Sequence, residues 1–143
     1  MAAWLNGSQA NTVVHACQPF SHLTIHLYCR ILYPLTMSDT IFHKILRKEI
    51  PAKIAYEDDE VLVFHDIHPK AATHLLFVPK HFVASIADVT RETAHIPGLL
   101  ILKAQAFAKE KGIEGYKLTF HVGRGGGQEV FYLHLHFLSE EKF

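Results

Sequence analysis

The sequence predicts an α+β fold built on an antiparallel sheet of about five strands, with one long and one short helix. Three observations carry this. Strand-like segments come in runs instead of alternating singly with helices. One long helical stretch interrupts them near the middle of the chain. The strand-like segments between residues 53 and 78 are joined by short connections that suit antiparallel neighbours.

In order along the chain, Ile41–Lys48 places apolar side chains at 41, 42, 45 and 46, a helical stripe. Ser38, Asp39 or Thr40 caps its start, and Pro51 stops it. Lys53–Glu57 is a short strand, Asp58-Asp59 a turn, and Glu60–His65 an apolar, β-branched strand. Asp66–Lys70 is a loop. His74–Val78 is the next strand, closed by Pro79. Ser85 or Thr90 caps the long helix, which reaches about Lys111. Leu99, Leu100, Leu102, Ala106 and Phe107 form its inner side, and Pro97 marks a first-turn position or a break. Gly112 and Gly115 end it. Tyr116–His121 is a strand, Gly123–Gly127 a flexible loop, and Val130–Leu138 the last strand.

Composition narrows the function. The 143 residues carry 14 basic and 14 acidic side chains, so no net positive field exists to hold nucleic acid. No apolar run reaches the ~18–20 residues that span a bilayer, and the expected location is cytoplasmic. Two cysteines make no disulfide framework. The unusual resource is histidine, 12 residues of a type that titrates near neutrality, binds metals and acts as a nucleophile.

Residues 1–36 stand apart. They hold both cysteines, Trp4 and three histidines, with no acidic residue, no lysine and the single Arg30. They lack the pattern of a secretory signal or an arginine-rich transit peptide. Cys17, His22, His26 and Cys29 match no zinc-finger spacing. The reading is a leader that is disordered or not translated, with a domain over 37–143 that starts at Met37.

The last strand carries the chemistry. Alternate side chains on a strand share a face about 6.5–7 Å apart. Tyr132, His134 and His136 therefore point one way, and Leu133, Leu135 and Phe137 point into the core. The glycines of 123–127 leave backbone N–H groups open to an anion. On spacing alone the His-x-His pair has three readings. It is a polar surface strand, a metal site completed by His74, His121 or Asp66, or a nucleophilic or acid–base centre.

The segment Gly126-Gly127-Gln128-Glu129-Val130-Phe131-Tyr132-Leu133-His134-Leu135-His136-Phe137-Leu138 resembles the motif of the histidine triad family in its Hint-like branch. The blocks Ile41–Ile45, Arg47–Lys53, Tyr56–Asp59, Phe64–Ile67 and Thr73–Lys80 are similar to the same branch, in the same order. The resemblance spans about residues 38–138 and implies a HIT-like fold. It implies hydrolysis of purine nucleoside phosphoramidates, such as AMP–amine compounds, through a nucleotidyl-histidine intermediate. No cofactor or metal is implied, and the assembly implied is a homodimer that pairs through the long helix and a sheet edge. By the resemblance His134 is the nucleophile, His136 holds phosphate oxygens, and His74 supports both. Asp66 accepts the ribose hydroxyls. Ile41, Phe42, Ile45, Phe64 and Ile67 wall the base. His121, Gly127, Gln128 and Glu129 complete the nucleotide site.

Two positions depart from the pattern. Tyr132 stands where the first triad histidine belongs, and His121 stands where asparagine is usual. A phenol donates a hydrogen bond but does not exchange protons near pH 7, so Tyr132 is the altered triad position. Three other functions remain open: a nucleotide-binding sensor with weakened catalysis, a Fhit-like dinucleoside polyphosphate hydrolase, and a metal-dependent hydrolase using His134, His136 and His74. His43, His65, His68, His81 and His95 match no site position and are read as surface or loop residues.

Overall fold

The computed structural model describes residues 39–143. The leader, with Cys17, Cys29 and its three histidines, lies outside the described residues.

Five strands form one antiparallel sheet: β1 (Ile54–Glu57), β2 (Val61–His65), β3 (Thr73–Pro79), β4 (Lys117–Phe120) and β5 (Leu135–Ser139), in the order β1-β2-β3-β5-β4. Two α-helices accompany it, α1 (Ile41–Leu46) and α2 (His95–Lys111). The predicted α+β fold is the observed one. No helix among the described residues is long and apolar enough to cross a membrane.

Strand β3 is buried along its whole length because β2 and β5 flank it and both sheet faces are covered. Its alternation sorts the two faces. Leu75 and Phe77 join Val61, Val63, Leu135 and Phe137 under α2. Leu76 and Val78 join Leu62 and Phe64 under α1. His74 shares the α1 face, and so does His136, which pairs with Leu76 in register. The site histidines thus sit on the face opposite the long helix.

Helix α1 starts on a capping box. Thr40 Oγ1 accepts the His43 N–H, and His43 Nδ1 accepts the Thr40 N–H at 3.2 Å. It ends at Leu46, two residues before the predicted stop. Lys48 already has φ 61°, so the chain leaves the helix well ahead of Pro51.

Helix α2 differs more from expectation. Its buried stripe is Ile96, Leu100, Ala104, Phe107 and Ala108, which shares Leu100 and Phe107 with the predicted set. Leu102 is 63% exposed, Ala106 is exposed and Leu99 is half-buried. The two buried alanines lie on the face toward the sheet, so side-chain size did not mark the inner face. The predicted caps also act elsewhere. Ser85 caps a 3₁₀ turn at Ile86–Asp88, and Thr90 bonds Thr93 and Glu92 before the helix begins. Pro97 falls in the first turn, and Gly112 ends the helix at φ 67°, a conformation glycine adopts freely.

The last strand begins at Leu135, five residues later than predicted. Its partner β3 ends at Pro79, which has no N–H to extend the ladder. The preceding segment is held otherwise, with the Leu133 N–H donated to Val83 O at 2.7 Å. The glycine-rich segment, predicted as a loop, contains a 3₁₀ turn at Arg124–Gly126.

Candidate active site

A cavity of about 540 Å³ opens on the α1 face of the sheet. Helix α1 gives Ile41, Phe42 and Ile45 to its wall. The end of β2 and the loop after it give Phe64, Asp66 and Ile67. His74 comes from β3, His121 from the end of β4, Gly127 and Glu129 from the glycine-rich segment, and His134 and His136 from the last segment. These are twelve of the fourteen site residues read from the sequence.

The other two are elsewhere. Gln128 is buried and ties the segment together, accepting the Gly123 N–H and donating to Ala84 O and Val130 O. Tyr132 points away from the cavity into the cluster under α1, where its hydroxyl donates to Pro79 O at 2.8 Å. Residues 130–134 are not in the sheet, so strict strand alternation does not carry back to Tyr132. Conversely, His65, His68 and Lys70 do line the cavity, which corrects the reading of the two histidines as mere surface residues. The Asp66 carboxylate accepts the His68 N–H at 2.8 Å and turns the loop inward. An Asp-x-His-Pro run was the available sign of that turn.

Hydrogen bonds to backbone decide where each imidazole proton sits. His134 Nδ1 lies 2.7 Å from Tyr132 O. A carbonyl only accepts, so Nδ1 carries the proton and Nε2 keeps its lone pair. The Lys70 N–H donates to His74 Nδ1 at 3.2 Å, so the His74 proton is on Nε2. Nε2 gives it to His136 Nδ1 at 2.9 Å. His136 therefore carries its own proton on Nε2, and that buried atom has no partner among the described residues. The site presents one nitrogen lone pair and one unspent N–H donor, with the His134 and His136 rings 4.8 Å apart.

Burial holds these rings neutral. It pushes His74 and His134 below the ordinary histidine value, and pushes His136 down to about 3, assisted by the neighbouring imidazoles. Asp66 Oδ2 lies 3.5 Å from His74 Nε2, but a neutral His74 whose proton serves His136 makes no ion pair there.

This has a consequence for stability. The unfolded histidines titrate near ~6.5 and the folded ones lower, so below pH ~6.5 the unfolded chain binds more protons. Stability is complete above that pH and falls as the pH drops toward 3. His136 alone accounts for about 2–3 kcal/mol by pH 4.5. Thermal melts at pH 7.5 and 4.5 are expected to show a fall in Tm of roughly 10–20 °C, and a smaller fall in His136→Asn. Equal slopes in the two proteins would contradict it.

Asp66, His74 and His136 each offer a donor atom, all within 4.8 Å of one another. The Lys70 bond places the His74 proton on Nε2, the atom a cation would need. The trio fits a shared proton better than a metal ion.

Comparison with known proteins gives the family. The family model described as "Scavenger mRNA decapping enzyme C-term binding" matches residues 39–142. An uncharacterized HIT-like protein of Synechococcus elongatus is 46% identical over 102 residues, covering 71% of this chain and 90% of that protein. The purine nucleoside phosphoramidase of Escherichia coli is 43% identical over 103 residues, 71% of this chain and 87% of the enzyme. The chain belongs to the histidine triad family. Among solved structures, the HIT family hydrolase of Legionella pneumophila superposes with a TM-score of 0.67 at 41% identity, over 71% of this chain and 93% of that one. The Hint-like resemblance is thereby supported, and the chain is a HIT-family hydrolase. Within the triad motif, Tyr132 occupies the first position, outside the cavity wall.

Proposed function

We propose that this HIT-family hydrolase cleaves purine nucleoside phosphoramidates through a nucleotidyl-His134 intermediate. The observation that carries the reading is the pair of fixed tautomers, a bare His134 Nε2 beside an unspent His136 Nε2–H on one cavity wall. The lone pair of Nε2 attacks the α-phosphorus, and the P–N bond to the amine breaks. The imidazole becomes a good leaving group once bonded to phosphorus, and water then displaces it. The His136 N–H and the backbone near Gly127 and Glu129 meet the charge that grows on the phosphoryl oxygens. Ile41, Phe42, Ile45, Phe64 and Ile67 offer an apolar slot for the base. Asp66 has lone pairs beyond the one given to His68, enough for both ribose hydroxyls.

The 43% identity with the Escherichia coli phosphoramidase supports the substrate class. The position of Tyr132 outside the cavity weakens the case for a sensor with lost catalysis. The exposed Ile101 and Leu102 on α2 support a homodimer that covers them.

The test is a panel of adenosine and guanosine 5′-phosphoramidates and a diadenosine polyphosphate, each incubated with enzyme at neutral pH with and without EDTA. Release of AMP and GMP from the phosphoramidates, unaffected by EDTA, is expected. No release at stoichiometric enzyme, or faster cleavage of the dinucleotide, would overturn the assignment.

A further inference from the structure

The hydrogen-bonded pair His74–His136 cannot supply a net proton, and the one proton of His134 is held by Tyr132 O. His136 can release its Nε2 proton only by drawing one from His74 onto Nδ1. His74 has nothing behind it but the Lys70 peptide N–H, which is not an acid. That chain would leave a His74 anion. Yet an amine expelled from phosphorus leaves as a poor, strongly basic group unless a proton reaches its nitrogen.

A fourth imidazole stands beside the chain. His121 follows β4, and its ring centroid lies 4.3 Å from that of His136. It is half-buried on the cavity wall, and among the described residues its side chain takes no hydrogen bond that would fix its tautomer. Gly127 packs beside it: its φ of 82° suits glycine, and a Cβ there would be in ordinary contact, 3.8 Å from His121 Nδ1. We propose that His121 is a further catalytic residue, the acid that gives the leaving nitrogen its proton and the base that takes a proton from the attacking water. The proposal rests on the phosphoramidase reading above and assigns it the missing proton source.

The step balances. His134 Nε2 bonds to phosphorus, the P–N electron pair stays on nitrogen, and the proton from charged His121 makes a neutral amine. Water then attacks phosphorus, its proton returns to His121, and the electron pair of the P–His134 bond returns to Nε2. The titratable groups that line the cavity with His121 are His136 and His134 on the last segment, His74 on β3, His65 at the end of β2, Asp66, His68 and Lys70 on the loop after it, and Glu129 on the glycine-rich segment. Burial disfavours a charge on His74, His134 and His136, and a charged His121 disfavours it further.

The experiment compares leaving groups. His121→Asn and His121→Gln are assayed with an adenosine 5′-N-alkylphosphoramidate, whose amine needs a proton, and with adenosine 5′-(4-nitrophenyl) phosphate, whose phenolate does not. The expected result, read as the single-turnover rate of nucleotidyl-enzyme formation, which precedes the water step common to both substrates, is a fall of about 10²-fold on the amine substrate and at most about threefold on the nitrophenyl ester. The alkaline fall of the amine pH profile should vanish in the variants. Equal losses on both substrates would make His121 a structural wall residue, and no loss on either would make it a bystander. Both results overturn the proposal while the nucleotidyl-enzyme survives. A wild-type protein that forms no nucleotidyl adduct from either substrate would instead overturn the phosphoramidase reading itself.

Discussion

His134→Asn is expected to abolish turnover, with kcat lower by about 10⁴-fold or more and no nucleotidyl adduct on the protein. Asparagine is the informative replacement. Its amide can still donate to Tyr132 O, the bond that now orients the ring. It also fills part of the space beneath Phe42, whose ring meets that of His134 edge-on at 5.1 Å. The fold should survive with a Tm within a few degrees, so lost activity cannot be lost structure. What asparagine lacks is a second nitrogen with a free lone pair at the Nε2 position. Single-turnover reactions quenched in base and read by intact-protein mass spectrometry should show an added nucleotidyl group in the wild type and none in the variant. His136→Asn should behave differently. It removes a donor to the phosphoryl oxygens but leaves the nucleophile, so adduct should still form, more slowly by about 10²–10³-fold. A His134→Asn enzyme within tenfold of wild type would show that another group attacks phosphorus.

The sheet was legible because β2 and β3 are near-continuous apolar runs bounded by turn residues, as strands covered on both faces are. Leu75 and Phe77 face one way and His74, Leu76 and Val78 the other, as period-two patterning requires. The cavity walls were legible only through resemblance. Phe42, Ile45 and Phe64 are buried in the cluster under α1 as well as lining the cavity, and no local pattern separates the two roles. The face of α2 was misread because Ala104 and Ala108 mark contact by being small, while the bulkier Leu102 lies outside. His65, His68 and Lys70 were missed for a different reason. His65 ends β2, and the place of His68 and Lys70 depends on how the loop after it folds back, which the Asp-x-His-Pro run marks as a turn without giving its direction. The proton positions were beyond any sequence reading, since they depend on two peptide groups, Tyr132 C=O and Lys70 N–H, that any residue could supply.

Tyr132→Ala is expected to destabilise the domain by about 3–5 kcal/mol, the usual cost of deleting a buried aromatic ring. The side chain is 1% exposed. Its ring meets those of His43, Phe82 and Phe42 at 4.8, 5.0 and 6.2 Å, so truncation opens a void where α1, the end of β3 and the catalytic segment meet. It also strips the partner from the buried carbonyl of Pro79. Tyr132→Phe removes only that hydrogen bond and should cost about 1–2 kcal/mol. Catalysis should respond in the opposite order of importance. Burial pushes the phenol up to about 12, and its hydroxyl is committed to Pro79 O, so it neither exchanges protons nor touches the cavity. Tyr132→Phe should therefore keep kcat within about threefold of wild type, because the main-chain carbonyl that orients His134 is unchanged. Tyr132→His, which restores the family residue, should gain no rate. Its smaller ring cannot reach Pro79 O in the same way and leaves a polar nitrogen to be satisfied. Urea unfolding and kcat measured on the same three variants separate the roles. A Tyr132→Phe enzyme slowed by about 10²-fold at unchanged stability would mean that the phenol acts in the chemistry, and the tyrosine would then be a working member of the triad and not the anchor that carries its carbonyl.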